Sequence, residues 1–415
     1  MPLLLEMLND VVELQMQHPF VQNLITNQSV KFDVFLLELL VGPPIAFGKK
    51  FECPIIGLTT LRQSLETANH LIGTPTHPIL YPDVLLPFEE PENLLQRVFS
   101  AIYALTAHLA TVFYIHPQQN LAIEKYFGKG FGTVEQLTSN ASLMFINGNP
   151  FLDRPRPTMP ATIEIGGIHI VPPKPLPTNL KIVLDSASVG VIYFSLGTNV
   201  KTKLLSKQVK DILLSVFSEL PYTILWKLED EDLPNSPDNV IVSKWFPQSS
   251  VLKHPNTKLF ITQGGLQSID EAIYEGVPMV GMPFFADQPG NINKMVRKGF
   301  GLSFDIGSLE KEHFKQTILE VINNPKYGLN VKKASQLGRD KPMSGLEHAV
   351  WWVEYLIRHK GAKHLQSPLI NISWWKYLLL DVIACLAIAI TALCFVVFIG
   401  LRFAIWCYVT LIQRS

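Results

Sequence analysis

Lys258-Leu-Phe-Ile-Thr262 is an apolar run of strand length that ends in Gln263-Gly264-Gly265, and Ser268-Ile-Asp-Glu271 follows with the pattern of a helix-opening capping box. Strand, glycine turn and helix in that order form one α/β unit. Glycines let a backbone approach a ligand closely, and a helix start offers free N–H groups and the positive end of its dipole, a setting that favours an anion such as a diphosphate. Val191 to Thr198 repeats the theme, an apolar strand ending in Ser195-Leu-Gly197-Thr198. Either turn alone could be an ordinary tight turn. Two at the same edge of one sheet could face one pyrophosphate.

Around these turns the order is regular. Strands are predicted at Val189–Leu196, Tyr222–Lys227, Asn239–Ser243, Lys258–Thr262 and Pro278–Met282, with helices at Ser206–Leu220, Ser268–Tyr274 and Asn291–Lys298. Such alternation predicts a parallel sheet covered on both faces, with ligands at the carboxyl ends of its strands. Upstream, proline concentrates between Pro150 and Pro177, which suits an extended linker better than a packed element. The preceding half is mixed α/β and less regular. Lys31–Leu40 and Cys53–Leu58 are expected as buried strands, and Pro91–Tyr114 as a long helix with proline in its first turn, apolar over a broad face and read as a core helix ahead of one that contacts membrane or an apolar ligand.

The 415 residues, 47% hydrophobic and 17% charged, suffice for two cores. Lys+Arg and Asp+Glu each total 35, so no net field draws in nucleic acid. Three of the four cysteines, Cys385, Cys394 and Cys407, lie in or beside one apolar run, leaving Cys53 alone elsewhere; no disulfide framework or cysteine-based zinc site follows. That run, Tyr377 to about Leu401, exceeds the roughly 20 residues that cross a bilayer as a helix. Trp374, Trp375 and Tyr377 stand at one end and Trp406 and Tyr408 at the other, as rings at the headgroup level do. Asp381 is close enough to the end of the span to reach the interface.

The flanking charge gives no orientation for the main domain. Arg358, Lys360, Lys363 and Lys376 precede the span, while Arg402 and Arg414 follow it. Met1 to Asp10 lacks a basic start and carries Glu6 in its apolar stretch, so it does not match a secretory signal. The chain therefore reads either as tail-anchored or as lacking its N-terminal beginning. Sequons at Asn27, Asn140 and Asn371 suit a lumenal domain.

Other chemistries leave no trace. No Gly-Lys-Ser/Thr closes a phosphate loop, no G-x-G-x-x-G follows a strand, no Gly-x-Ser-x-Gly elbow offers a nucleophile, and the histidines lack metal-site spacing. Gly128-Lys-Gly130-Phe-Gly132 has no strand before it and reads as a loop.

Phe260-Ile-Thr-Gln-Gly-Gly265 through Asp287-Gln288, preceded by Trp245-Phe-Pro-Gln248, resembles the signature of the UDP-glycosyltransferases, and most closely the insect members. Ile192-Tyr-Phe-Ser-Leu-Gly197 resembles the family's first donor-domain strand, Ile165-Gly-Gly-Ile-His169 its linker, and Leu380-Asp-Val-Ile383 the start of its membrane span. The resemblance implies an α/β GT-B fold, two Rossmann-like domains with a C-terminal transmembrane helix. Its segments would be a partial acceptor-binding domain over residues 1–170, a donor-binding domain over 171–345, a helix and juxtamembrane segment over 346–376, a span over 377–401 and a tail over 402–415.

By position, the resemblance has Trp245 stacking on uracil, Gln248 bonding the base or ribose, and Glu271 taking the ribose hydroxyls, a role suited to an acceptor-only carboxylate. Ser195, Gln263, Gly265, Gln267 and Ser268 would surround the diphosphate, and Asp287 with Gln288 would hold sugar hydroxyls. The competing readings make Trp245 a core residue and Glu271 only the cap partner of Ser268. Gln263 stands where many members carry histidine; its amide can donate to phosphate but cannot carry charge, so donor binding should depend less on pH.

Members use an N-terminal histidine as general base, held by a carboxylate. Glu38, in Phe32-Asp-Val-Phe-Leu-Leu-Glu38, resembles that carboxylate; the histidine is absent from the chain, and His18 falls too close to Glu38 in sequence to replace it. The implied activity is inverting transfer of a hexose from UDP-glucose or UDP-glucuronate to a small lipophilic acceptor, without a metal or cofactor. The protein would sit in the endoplasmic reticulum membrane as a single-pass chain, its domain lumenal if a signal lies upstream, and homo- or hetero-oligomers are compatible with this. The alternative is a non-catalytic UDP-sugar-binding membrane partner.

Overall fold

Val191-Ile-Tyr-Phe-Ser195 is buried along its whole length, as a parallel strand covered on both faces must be. The computed structural model in which this strand lies describes every residue except 1, 39–41, 61–72, 75–76, 81, 84–85, 87, 89, 150–151, 154, 156, 202–204, 230–232, 234–235 and 414–415. Two units separate along the chain, Met1–Gln366 and Ser367–Ser415.

The first unit holds two parallel sheets. One consists of β1 (Phe35–Glu38), β2 (Ile55–Thr59), β3 (Ala141–Ile146) and β4 (Thr162–Glu164), in that order across the sheet. The other consists of β5 (Val191–Ser195), β6 (Thr223–Lys227), β7 (Val240–Ser243), β8 (Thr257–Thr262), β9 (Met279–Gly281) and β10 (Gly301–Ser303), ordered β10-β9-β8-β5-β6-β7. The chain thus winds outward from β5 in one direction and from β8 in the other. β5 pairs directly with β8, Ser195 opposite Thr262. The order reverses there, and in sheets of this kind the ligand crevice lies beyond the carboxyl ends of the strands at such a reversal.

Side-chain alternation sorts the second sheet's residues onto two cores. Ile192, Phe194, Trp226, Leu259 and Ile261 face one side, Val191, Tyr193, Leu225 and Phe260 the other. The helix Leu94–Ala110 (α1) lies in the first lobe. In the second lobe come α2 (Lys207–Ser218), α3 (Gln248–Lys253), α4 (Leu266–Glu275), α5 (Gln288–Arg297), α6 (Lys311–Asn323) and α7 (Pro325–Arg339). Leu213, Val216 and Phe217 of α2 and Phe314, Ile318 and Val321 of α6 cover the first face; Ile269, Ala272 and Ile273 of α4 and Ile292 and Met295 of α5 cover the other.

The lobes exchange segments. Leu152, just after the first sheet's third strand, is buried in the second lobe's core. The helix α8 (Gly345–His359) returns, burying Ala349 and Leu356 against the first sheet. Ser344 and Glu347 form a capping box at its start. The start lies so close to the interlobe segment that a Cβ on Gly345 would come 2.5 Å from the Ile165 carbonyl oxygen.

Four expectations change. The proline-rich stretch, whose first residue Pro150 lies outside the described residues, is not all extended linker: Thr162–Glu164 is a strand between proline clusters, paired on one side only. Ala161, Ile163 and Ile165 are the buried residues that hold it there. The long helix begins at Leu94 under an Asn93 cap, so Pro91 precedes it rather than filling its first turn. Nor is α1 a core helix. Of its residues only Ser100 is buried, and Leu95, Phe99, Ile102, Leu105 and Leu109 are exposed. The backbone passes through a π-helical turn at Thr111–Ile115 into a helix ending at Phe127. The predicted strand Lys31–Leu40 is realised as Phe35–Glu38; Leu39 and Leu40 lie outside the described residues.

The second unit carries α9 (Leu380–Ile412), 33 residues and about 50 Å long at 1.5 Å per residue, long and apolar enough to cross a membrane. Tyr377 belongs instead to a separate short helix, and Leu379 with φ 52° breaks the chain between the two. The α9 helix also continues past Leu401, through most of what reads as a tail in the sequence. The stretch Leu94–Phe127 meets the same length and composition test.

Candidate functional site

Gln263 follows the last residue of β8 and is 6% exposed. Its Oε1 accepts the Thr262 hydroxyl at 3.2 Å. A Cβ placed on Gly197 would lie 2.3 Å from the Gln263 Nε2, and one on Gly265 would lie 2.9 Å from it. The two glycine turns, from β5 and β8, therefore close on a single amide whose N–H groups have no acceptor among the described residues. Gly197 with φ 70° and Gly264 with φ 91° adopt backbone that side chains disfavour. A Cβ on Gly264 would also meet Ile292 of α5 at 2.6 Å.

The helix after this turn starts two residues earlier than the sequence suggests. Gly265 is the N-cap of α4 and no side chain caps it. Ser268 and Glu271 consequently form no capping box, because Ser268 already lies inside the helix. They turn instead toward α3. Gln248 Nε2 donates to Glu271 Oε2 at 2.6 Å and to Ser268 Oγ at 3.1 Å, and the Ser249 hydroxyl donates to Glu271 Oε1 at 3.0 Å. Free of a capping role, the Glu271 carboxylate is an acceptor held in place by two donors, with lone pairs left over. The uncapped helix start leaves its amides open to an anion.

Trp245 is not a core residue. Its ring is 65% exposed, while its neighbour Phe246 is buried and anchors the segment. The Lys227 ammonium, at the carboxyl end of β6, lies 5.4 Å from the Trp245 ring centroid and donates to the Gly197 carbonyl at 2.5 Å. Burial pushes this ammonium below the usual lysine range. Lys227 was not singled out from sequence. The available signal was a cation ending an apolar strand at the ligand-bearing edge.

Asp287 precedes α5, presented by Ala286 in left-handed backbone with φ 56°. Asn291 Nδ2 joins Asp287 Oδ2, at 2.7 Å, to the Gly264 carbonyl, at 3.1 Å. Asn291, one helical turn from Asp287, is a second residue the sequence reading passed over. Gln288 is 4% exposed and its Oε1 accepts from the Phe284 and Phe285 amides at 2.9 and 3.2 Å, so only its Nε2 remains for a ligand. Ser195 is 2% exposed and its Oγ accepts from the Gly197 amide at 3.3 Å, beneath the turn rather than in the crevice. The Gln267 side chain is exposed, and its carbonyl lies 3.3 Å from His169 Nε2.

The ten residues expected around the donor lie at or beyond the carboxyl ends of β5, β7, β8 and β9, with Ser195 ending β5 beneath its turn, Glu271 inside α4, Trp245 and Gln248 after β7, and Asp287 and Gln288 after β9. Glu38 stands apart, at the carboxyl end of β1. Burial raises its carboxyl above the usual range against hydrogen bonds from Thr60, and its buried Oε1 has no partner. His18 caps the helix Pro19–Thr26, its Nδ1 accepting the Phe20 amide at 3.3 Å. Among the described residues no group of three His, Cys, Asp or Glu side chains could hold a metal ion.

A family model described as UDP-glucoronosyl and UDP-glucosyl transferase matches residues 13–415. UDP-glucosyltransferase 2 of Dactylopius coccus is 36% identical over 387 residues, covering 93% of this chain and 74% of the relative. UDP-glucuronosyltransferase 2B1 of Rattus norvegicus is 32% identical, covering 92% of this chain and 71% of the relative. Among solved structures, the glycosyltransferase VinC in complex with dTDP superposes with a TM-score of 0.60 at 13% identity, over 86% of this chain and 79% of that one. At that identity the likeness shows the fold, the two-lobed GT-B arrangement.

Proposed function

The chain belongs to the UDP-glucoronosyl and UDP-glucosyl transferase family, and from that premise we propose that it transfers glucose, or else glucuronate, from UDP to a small lipophilic hydroxyl compound with inversion at the anomeric carbon. The observation that carries this reading is the Gln263 amide enclosed by the Gly197 and Gly265 turns beside the uncapped start of α4. A diphosphate there would accept from the Gln263 Nε2 and from helix N–H groups. The same donors would stabilise the charge that builds on UDP as the sugar departs.

Trp245, exposed and flanked by Lys227, would stack on uracil, and Gln248 would meet the base or ribose. The Glu271 carboxylate would accept from the ribose hydroxyls. Asp287 and the free Nε2 of Gln288 would hold the sugar. The attacking hydroxyl has to lose a proton, and Glu38, with a buried oxygen available to an imidazole N–H, would orient a histidine base of the family's kind, which these 415 residues do not themselves place at the family position. No observation favours the binding-only alternative. The apolar helix Leu380–Ile412 supports membrane anchoring. A lumenal domain in the endoplasmic reticulum belongs to the proposal, and sugar on exposed Asn140 would mark that orientation.

The test is transfer from UDP-[14C]glucose and UDP-[14C]glucuronate to a phenolic acceptor, with the product's anomeric configuration read by proton NMR. A β-linked product from the α-linked donor supports the proposal. An α-linked product, or no transfer from either donor, overturns it.

A further inference from the structure

Two segments leave the first sheet side by side. A Cβ on Gly166, after β4, would sit 1.7 Å from the carbonyl oxygen of Gly148, after β3, so the two backbones touch where only glycine fits. Each segment then reaches the donor lobe. Asn149 Nδ2 donates to Asp270 Oδ1 of α4 at 3.0 Å, with both residues buried. His169 Nε2 lies 3.3 Å from the Gln267 carbonyl of the same helix. Asp153 accepts the Asn149 backbone N–H on Oδ2 at 2.8 Å and the buried Lys294 ammonium of α5 on Oδ1 at 3.2 Å.

These contacts come at a cost the molecule does not recover locally. A carboxylate can only accept, so the Asn149 amide must present its nitrogen to Asp270, and its Oδ1 is then buried without a partner. A carbonyl likewise only accepts, so His169 carries its proton on Nε2, and the bare Nδ1 is also buried without a partner. Unpaired buried acceptors are rare, and two at one joint mark a constraint other than local stability. Both groups grip α4, which carries Gln267, Ser268 and Glu271, while Asp153 holds α5, whose start presents Asp287 and Gln288.

We propose that Asn149 and His169 are positioning residues that latch the donor helix α4 to the acceptor lobe, fixing the sugar's anomeric carbon against the acceptor hydroxyl. Misplacing reacting groups by about 1 Å can cost a hundredfold in rate without weakening ground-state binding, so the latch acts on turnover rather than on UDP affinity. The proposal rests on the donor-site reading above.

The experiment uses the full chain in detergent, with UDP affinity by calorimetry, turnover with UDP-glucose and a phenol, and hydrogen exchange of the Leu266–Glu275 amides. Asn149→Asp sets two carboxylates together, and Asn149→Asp with Asp270→Asn restores the hydrogen bond with donor and acceptor exchanged. His169→Phe removes the other contact, and His169→Gln keeps a donor. Each single disruption should lower kcat about tenfold or more, leave the UDP Kd within about threefold and speed exchange in α4, while the swap and His169→Gln recover most of the loss. Unchanged kcat, parallel loss of kcat and UDP affinity, or a swap without recovery overturns the latch. Should the unaltered chain bind no UDP, the donor reading fails; in that case, and equally if it binds UDP without turnover, exchange in α4 decides: faster in Asn149→Asp and restored in the swap upholds the latch, unchanged overturns it.

Discussion

Gln263 occupies space that two glycines leave for it, so the tightest constraint in the site falls on residues with no side chain. Gly197→Ala would place a methyl 2.3 Å from the Gln263 amide on backbone with φ 70°. We expect UDP affinity to fall by about tenfold or more and Tm to drop by several degrees, since left-handed strain and displacement of the amide act together; calorimetry and a melting curve check it. Asp287→Ala should lower selectivity between UDP-glucose and UDP-galactose with UDP binding nearly intact. Gln288→Ala should also lower Tm, because the Phe284 and Phe285 amides lose their acceptor. Equal losses of sugar selectivity and UDP affinity in Asp287→Ala would contradict the sugar assignment.

Glu38 gives a pH signature. Its carboxyl is raised in the folded chain, so the folded state holds this proton more tightly than the unfolded state does, and its ionisation takes away stability as pH rises above the ordinary glutamate value of about 4.3. Glu38→Gln removes that loss. The variant should melt above the parent at pH 8, with the gain vanishing near pH 4, and a gain of the same size at both pH values would contradict the sign. At this scale the sequence supplies the residues proposed for the donor, because motif order survives without coordinates. Lys227, Asn291 and Asn149 stay hidden because their importance arises only when strands and helices distant in sequence meet.

Among the elements, five strands of the second sheet were legible, because continuous apolar runs alternating with amphipathic helices admit few other arrangements; β10, three residues at the sheet's end, was not. Helix starts were less so. Ser268-Ile-Asp-Glu271 has the spacing of a capping box, yet Gly265 begins α4 and Gln248 takes both side chains. Ser206, by contrast, does cap α2, accepting the Val209 amide at 3.2 Å. Ser206→Ala should therefore cost about 1 kcal/mol, and Ser268→Ala less than about 0.5 kcal/mol of stability while weakening UDP binding. A larger stability loss at Ser268 in urea unfolding would restore the capping reading. The first lobe was read less well. β4 hides among prolines, and the apolar surface of α1 gives the same sequence pattern whether a core covers it or not.

Across the molecule, the fold class was visible in the sequence as two α/β halves and an apolar helix, whereas the exchange of Leu152 and α8 between lobes was not. Segment exchange leaves no periodicity to read. It also explains how the proposed donor site is contacted from both halves of the chain, through Asn149, Asp153 and His169. The central claim is that the β5/β8 edge binds the UDP moiety, with Glu271 on the ribose and Trp245 on the base. The most direct measurement is calorimetric titration of the full chain with UDP and with 2′-deoxy-UDP, alongside Glu271→Ala. The account predicts saturable UDP binding, weakened about tenfold by either loss of the 2′-hydroxyl or loss of the carboxylate, with no further weakening when the two are combined. Binding that is indifferent to both changes, or additive losses in the combination, would contradict it.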